Sequence, residues 1–193
     1  ITYLFQLRIK RIGDIFLSLI LLIFFMVIIL VSALFIVLED QGPIFYSQIR
    51  NGYMKRKIKI WKLRTMKVNA ESSGPKWSKN NDDRITRVGS LLRKLRIDEL
   101  PQLWNVLVGD MTLIGPRPER PEFDVLLANK IPFYDIRYKI KPGLSGWAQV
   151  NYPYGSSISD SANKLSFDIY YLRNFNFFLD LAILLKTIKL VLN

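Results

Sequence analysis

An unbroken apolar segment near the N-terminus limits what this chain can fold into. Ile15 to Leu38 contains no charged residue, no glycine and no proline. As a helix, its roughly two dozen residues would be about 36 Å long, enough to cross the hydrocarbon core of a bilayer. A cleaved signal peptide would be shorter and would end in small residues, and the buried helix of a soluble core would carry some polar positions. We therefore predict a permanent membrane helix.

Basic residues flank this segment on both sides: Arg8, Lys10 and Arg11 before it, and Arg50, Lys55, Arg56 and Lys57 after it. A straight span would place one of these groups on the unfavoured side of the membrane, because basic residues concentrate on the cytoplasmic face. A re-entrant helix with both ends on that face avoids the conflict. We predict re-entry, with a straight span as the alternative.

Composition narrows the chemistry. At 193 residues the chain suits a single domain, and its net charge of +12 and pI near 9.9 favour an anionic partner such as nucleic acid, anionic lipid or a phosphorylated substrate. Cysteine and histidine are absent, which excludes disulfides and removes the commonest general base and zinc ligand. Catalysis would then use carboxylates, and a metal would be an oxygen-binding cation such as magnesium.

The acidic pair Asp98-Glu99 is the most informative local feature. It lies just before Pro101 and a set of apolar residues at helical spacing, Leu100, Leu103, Trp104 and Leu107. Proline is tolerated in the first turn of a helix, so the pattern predicts a helix that begins at Asp98 or Glu99. Helix N-termini stabilise negative charge, on a side chain or on a bound phosphate, although acids there are also ordinary caps.

Cations surround this pair in the sequence. Arg93 lies on a predicted helix of residues 85–95, and Arg117 lies among prolines that would hold it for bidentate phosphate recognition. The alternation near residues 44–61 predicts a β-hairpin whose second strand ends at Lys62 and Arg64. Each of these basic side chains is either solvated or in contact with phosphate.

The remaining segments are a polar loop at residues 68–84, which contains Trp77, a short helix at residues 123–129, and a turn-rich loop at residues 141–147. Gly143 in the latter loop permits close approach of a ligand, and Trp147 either packs in the core or contacts that ligand. A final apolar helix at residues 179–192 carries lysines, which is typical of a helix lying in the membrane interface.

Several ordered motifs resemble those of the bacterial sugar transferases, the monotopic phosphoglycosyl transferases that act on polyprenyl phosphate. The resemblance runs from about Lys10 to the C-terminus and includes Lys62–Met66, Asp98–Asn105, Gly109–Met111, Gly115–Glu119 and Lys141–Asn151. Members of that family bend their re-entrant helix at a Ser-Pro pair. Met26 and Val27 stand in those places here, so the predicted bend has no local cause in the sequence.

The resemblance implies transfer of a sugar-1-phosphate from a UDP-sugar to a polyprenyl (undecaprenyl) phosphate, with release of UMP, as the first step of exopolysaccharide, capsule or other glycoconjugate synthesis. It implies that Asp98 forms a phosphosugar-aspartyl intermediate, that Glu99 assists, and that both hold Mg²⁺. The residues that it places on substrate or phosphate are Lys62, Arg64, Arg93, Arg117, Gly143 and Trp147. Asp110 is a weaker candidate and is equally consistent with a turn residue.

We therefore expect an α+β, mostly helical, membrane-anchored single domain. Residues 1–40 form the re-entrant helix, and residues 41–193 form a catalytic domain with a β-hairpin and interfacial helices, on the cytoplasmic face of the inner membrane. Its expected partners are the donor, the acceptor and membrane lipid, without nucleic acid; homo-oligomerisation and residues upstream of Ile1 stay open.

The alternatives are a non-catalytic scaffold, a nucleic-acid binder, and an enzyme using one direct displacement. Residues 74–77 and 82–86 resemble the branch of the family that starts exopolysaccharide or capsule synthesis, and this resemblance implies glucose or galactose phosphate over an acetamido sugar.

Overall fold

The computed structural model describes residues 2–72, 74, 82–153, 155 and 157–192. Of the segments used to suggest the sugar, residues 75–77, including Trp77, lie outside the described residues. Helix α1 runs from Thr2 to Glu39 and is continuous through Met26 and Val27. At 1.5 Å per residue its 38 residues extend about 57 Å. Residues Phe5–Glu39 are long and apolar enough to cross a membrane, by length and composition alone. Membrane re-entry stays a prediction.

Two small sheets and a set of shorter helices make up the rest of the chain. β1 (Phe45–Asn51) and β2 (Lys57–Leu63) form the predicted antiparallel hairpin, joined through a 3₁₀ turn at Tyr53–Lys55. β3 (Thr112–Ile114) pairs in parallel with β4 (Gly143–Ser145). The α-helices after α1 are α2 (Arg87–Lys94), α3 (Gln102–Val108), α4 (Pro121–Lys130), α5 (Trp147–Asn151), α6 (Ile158–Asn174) and α7 (Phe177–Leu192). Further 3₁₀ turns lie at Ile97–Glu99 and Tyr134–Lys139. This is the mostly helical α+β fold that the sequence predicted.

Helix α1 is bonded to the rest of the domain near both of its ends. Near the N-terminal end, Lys10 Nζ lies 2.6 Å from Asp180 Oδ2 of α7, and buried Asp14 accepts hydrogen bonds from β3. At the C-terminal end, Asp40 pairs with Arg64 at 2.6 Å. Between these anchors much of the helix surface is exposed apolar side chain. The helix therefore lies along the domain, and one of its faces exposes apolar side chains that the domain does not cover.

The main core lies where the hairpin, α3, the small parallel sheet and the C-terminal helices meet. Its buried members are Ile58, Ile60, Leu103, Val106, Met111, Leu113, Ile114, Ile140, Tyr171 and Ile183. Apolar residues of α1 and of the C-terminal helices pack against this cluster, so the membrane-type helix and the domain share one core.

Two predictions about local structure are wrong. The helix predicted to begin at Asp98 or Glu99 begins at Gln102, and both acids lie in the preceding 3₁₀ turn. This turn forms because the chain reverses at Arg96, whose φ of 58° and ψ of 16° are left-handed, so α2 cannot run on into the acidic pair.

The predicted loop at residues 141–147 contains β4 instead. A Cβ atom on Gly143 would lie 2.0 Å from the backbone nitrogen of Gly115. Glycine at position 143 is therefore required by contact between two backbone segments, independently of any ligand. Substrate contact at Gly143 stays a prediction.

Candidate active site

The acidic turn is buried against the hairpin. Asp98 is 7 % exposed and Glu99 is 9 % exposed. Helix α2 lies on one side of the turn. Thr86 caps the N-terminus of α2. The backbone nitrogen of Thr86 donates to the carbonyl of Thr65, which lies just after β2. Gly89 lets α2 approach so closely that a Cβ there would lie 2.1 Å from the Thr65 oxygen. The packing of α2 against the residues after β2 thus fixes the position of the turn that carries Asp98 and Glu99.

Helix α3 is fastened to β2 through one side chain. Asn105 donates from Nδ2 to the Lys59 carbonyl at 2.8 Å and accepts from the Trp61 backbone nitrogen at 3.2 Å. These two bonds set the distance between the strand that carries Lys62 and the turn that carries Glu99. We did not assign a role to Asn105 from the sequence.

Glu99 is held by two cations. Lys62 Nζ lies 2.6 Å from Glu99 Oε1, and Arg117 donates to both carboxylate oxygens, at 2.6 and 3.3 Å. Burial alone would raise the pKa of Glu99, but Arg117 and Lys62 outweigh it and hold this pKa well below its usual range. Glu99 is therefore an anion that organises the site.

Asp98 has a different environment. None of the residues that the structure describes donates a hydrogen bond to its carboxylate. Burial raises the pKa of Asp98, and the neighbouring charge of Glu99 raises it further, against the opposing effect of Lys62, Arg93 and Arg117. A carboxylate with an elevated pKa and uncommitted oxygens is a stronger nucleophile than one held in salt bridges, and it gains more from an approaching cation.

The structure brings together only part of the predicted phosphate-binding set. Lys62 and Arg117 contact Glu99, and Arg93 is near enough to influence Asp98 while its Nε donates to Thr65 Oγ1 at 2.8 Å. Arg64 instead pairs with Asp40 and donates to the Pro43 carbonyl at 2.7 Å, so its guanidinium joins the end of α1 to the hairpin.

Trp147 is also committed to packing. Its ring stacks on Tyr170 with 5.8 Å between centroids, and Lys186 Nζ lies 4.7 Å from the ring centroid. These contacts join α5 to α6 and α7. Substrate contacts at Arg64 and Trp147 stay predictions. A role for the side chain of Asp110 also stays a prediction; this residue follows the end of α3, and its backbone nitrogen donates to the Asn105 carbonyl.

An apolar cavity of about 410 Å³ borders the acidic turn, between α1, the hairpin and α3. Its lining residues are Leu22, Met26, Ile29, Leu30, Phe45, Trp61, Pro101 and Trp104. Trp61 is adjacent in sequence to Lys62, and Pro101 lies two residues after Glu99. The cavity therefore lies between segments of the chain that also carry charged residues of the site, and its own lining is apolar.

The donor set for a metal is small. In the part of the chain that the structure describes, no group of three or more acidic side chains is arranged to hold a cation. Magnesium commonly binds through one or two carboxylates, with substrate phosphates and waters completing its coordination. Asp98 fits that use, because its oxygens are uncommitted and its charge is poorly compensated, whereas Glu99 is already neutralised by Lys62 and Arg117.

This combination of a long apolar helix, a buried carboxylate pair and surrounding cations matches the resemblance noted in the sequence. The model of the bacterial sugar transferase family matches residues 5–193, so the chain belongs to that family. Three relatives show how the match extends over curated proteins.

A UDP-N-acetylgalactosamine-undecaprenyl-phosphate N-acetylgalactosaminephosphotransferase of Aeromonas hydrophila is 45 % identical over 184 residues, covering 95 % of this chain and 44 % of the relative. A putative undecaprenyl-phosphate N-acetylgalactosaminyl 1-phosphate transferase of Bacillus subtilis is 49 % identical over 131 residues, covering 68 % and 73 %. A UDP-glucose:undecaprenyl-phosphate glucose-1-phosphate transferase of Caulobacter vibrioides is 39 % identical over 185 residues, covering 95 % and 69 %. The chain thus spans less than half of the Aeromonas relative.

Proposed function

We propose that this chain is a phosphoglycosyl transferase that moves a sugar-1-phosphate from a UDP-sugar to undecaprenyl phosphate through a covalent intermediate on Asp98. The relatives' names support the acceptor and the transferred group. The observation that carries the assignment of roles is the asymmetry of the acidic pair: Glu99 is fixed by two cations while Asp98 has uncommitted oxygens.

In the first step a carboxylate oxygen of Asp98 attacks the phosphorus that bears the sugar. The bond from that phosphorus to the bridging oxygen breaks, and UMP leaves with the bonding electrons. Attack of an anion on a diphosphate is opposed by charge repulsion, which Lys62, Arg93 and Arg117 reduce around the reacting phosphoryl group. Forming an acyl phosphate divides one difficult transfer into two easier ones.

In the second step a phosphate oxygen of the lipid acceptor attacks the same phosphorus. The bond to the Asp98 oxygen breaks, the carboxylate is restored, and the product is a lipid-linked sugar diphosphate. The apolar cavity beside the turn suits the hydrocarbon part of this acceptor, since its volume of about 410 Å³ is lined by apolar side chains from the segments that also carry Lys62 and Glu99.

Magnesium fits this scheme at Asp98 together with phosphate oxygens of the donor. When bound it would neutralise developing charge on the phosphoryl oxygens. The chain's own contribution is to hold Glu99, Lys62 and Arg117 in a fixed arrangement, so that the two cations lie beside Asp98 and oppose the effect of burial on its charge.

We further propose that α1 enters the membrane and returns to the cytoplasmic face of the inner membrane. Both of its ends are bonded to the same domain, through Lys10–Asp180 and Arg64–Asp40, and the exposed apolar surface lies between them. Exposed Phe177 of α7 extends this apolar surface, which suits an interfacial position for the C-terminal helix.

The reaction is tested by intact mass measurement in detergent with magnesium and a panel of UDP-sugars, without lipid acceptor. We expect a sugar-phosphate adduct and UMP release with one donor, and neither with Asp98→Asn. UMP release that requires the acceptor, with no adduct, would support a single displacement instead. If neither adduct nor UMP forms with any donor, even when the acceptor is present, the scaffold alternative would be favoured. The relatives are named for both acetamido sugars and glucose, so the panel must contain both kinds.

The acceptor cavity is tested separately through Trp104, which lines it and is 55 % exposed. We expect Trp104→Gln to raise KM for the lipid acceptor while donor-only UMP release is unchanged, because only the second step uses the cavity. Leu91→Gln, at an exposed apolar position on α2, is the matched control and should leave both values unchanged. An unaltered acceptor KM in the Trp104 variant would rule out the cavity as the chain-binding site.

A further inference from the structure

A second, polar cavity lies on the other side of Arg117. It has a volume of about 90 Å³, and the charged side chains of its lining are Arg50, Arg117, Glu119, Arg137 and Lys164. One water requires roughly 10–15 Å³ of such space, so the cavity holds a group with several oxygens but is too small for a nucleotide. Because Arg117 also binds Glu99, the cavity is one side chain away from the acidic turn.

Cations outnumber carboxylates around this cavity. Its lining has four cationic side chains and one acidic side chain, Glu119, which pairs with Arg50 at 3.2 Å. Asp168 and Glu99 pair with Arg137 and Arg117 from outside the lining, at 3.0 and 2.6 Å. Asp160 also lies outside the lining and acts on Lys164, while Glu99 is shared with Lys62. Positive charge therefore exceeds negative charge among the side chains that line the cavity.

The cationic side chains also retain unused donors. The Nε atoms of Arg50 and Arg137 are buried and have no hydrogen-bond partner among the residues that the structure describes. The side chains themselves are only 16 % and 10 % exposed. A buried donor without an acceptor is costly, and both residues line the cavity, where a bound acceptor would relieve that cost.

The titration of these groups agrees with the geometry. Burial lowers the pKa of Arg50 to about 10, with Arg117 adding to the effect against the opposing influence of Glu119. Burial also lowers the pKa of Lys164, and Arg117 and Arg137 contribute to that shift in the same direction. An anion in the cavity would reverse both shifts.

The position of Arg117 is fixed from the cavity side. Arg137 donates from Nη2 to the Arg117 carbonyl at 2.8 Å and pairs with Asp168 of α6. Arg117 both lines the cavity and donates from its guanidinium to Glu99. A phosphate in the cavity would therefore share Arg117 with the acidic turn that holds Asp98.

We propose that this basic cavity is a binding site for a phosphate monoester, the group carried both by the UMP that leaves in the first step and by the lipid acceptor. Its position one arginine away from the acidic turn fits the UMP phosphate. The inference rests on the proposed function for its role in the reaction, while phosphate binding itself can be measured without turnover.

The test is calorimetric titration of the full chain in detergent with UMP, uridine, inorganic phosphate and a short-chain isoprenyl phosphate. Wild type should bind UMP more tightly than uridine. Lys164→Gln and Arg50→Gln should each weaken UMP binding by about tenfold or more, as expected for a lost charged hydrogen bond, and leave uridine binding unchanged. Arg50→Lys keeps the charge but lacks the Nε donor, so it should lose less UMP affinity than Arg50→Gln, and this difference separates loss of charge from misfolding.

Lys139→Gln is the control, since Lys139 is exposed on the same 3₁₀ segment as Arg137. It should bind every probe as wild type does. Selective loss of isoprenyl phosphate binding in the cavity variants would assign the site to the acceptor. Unchanged binding of every phosphate probe in the cavity variants, or no phosphate binding by wild type, would overturn the proposal. Failure of the reaction is detected independently, by absence of the Asp98 adduct.

Discussion

Neutralising the two adjacent carboxylates is expected to change stability in opposite directions. Glu99→Gln removes the anion that pairs with Lys62 and Arg117, and it leaves both cations without their carboxylate. Breaking a buried ion pair costs about 3–5 kcal/mol, whereas a solvent-exposed pair contributes about 0–1 kcal/mol. Lys62 and Glu99 are 18 % and 11 % exposed but Arg117 is 41 % exposed, so we expect a loss of about 3 kcal/mol.

For a chain of this length, 1 kcal/mol corresponds to about 2–4 °C in Tm, so Glu99→Gln should lower Tm by about 6–12 °C. Asp98→Asn should instead raise Tm slightly. The raised pKa of Asp98 shows that the fold disfavours its charge, and no hydrogen bond is lost when the carboxylate becomes an amide. The same variant should form no sugar-phosphate adduct, as expected where stability is given up for activity.

The assay is thermal unfolding followed by circular dichroism in detergent at several pH values. The pKa of Glu99 is lower in the folded state than its unfolded value of about 4.3. Its stabilising contribution is therefore fully present above that unfolded pKa and is lost as the pH falls through the folded pKa. The Tm difference between wild type and Glu99→Gln should be constant near neutral pH and should narrow in acid.

Asp83→Asn is the matched control, because Asp83 is an exposed carboxylate beside another acid. Its Tm should shift by no more than a surface substitution does, about 0.5 kcal/mol in free energy. Equal losses of Tm in the Asp98 and Glu99 variants would refute the distinct electrostatic roles that we assign to them.

Three further predictions concern pH and backbone packing. The rate of donor-only UMP release should fall with acid at a pH above the value of about 3.9 usual for aspartate, because the pKa of Asp98 is raised; a pH-rate profile with an apparent pKa at or below 4 would contradict this. Gly89→Ala places a Cβ 2.1 Å from the Thr65 oxygen and should lower stability by about 1–3 kcal/mol, measured by thermal unfolding against alanine at an exposed serine of the same helix. Gly143→Ala should cost at least as much, because its Cβ would lie 2.0 Å from the Gly115 nitrogen and 2.4 Å from the Ser145 oxygen, so two backbone segments would have to move. A wild-type Tm would show that this sheet can open without loss.

Local patterns in the sequence determined a good part of this protein. The apolar helix was predictable because its signal is continuous along the chain, and the β1–β2 hairpin because alternation and a turn lie close together. The family was evident because its motifs are short stretches that can be read directly from the sequence in their order along the chain. Asp98 and Glu99 were identified as a candidate pair on the same basis.

Only the tertiary structure decided what the members of that pair do. Glu99 is neutralised by Lys62 and Arg117, which are 37 and 18 residues away in sequence, and no local pattern specifies which of two adjacent acids those cations will reach. Arg64 was separated from the predicted phosphate-binding set by its pairing with the end of α1.

The small parallel sheet and the basic cavity likewise could not be predicted from the sequence. β3 and β4 are three residues each, too short for an alternation to be recognised. The cavity collects Arg50, Arg117, Arg137 and Lys164 from separate elements of the fold. The sequence shows that such cations exist, but their desolvation and mutual repulsion arise only when folding places them around one space. The electrostatic roles of the charged residues therefore depended on tertiary packing, whereas most of the helices and strands that carry those residues were predictable from local sequence patterns.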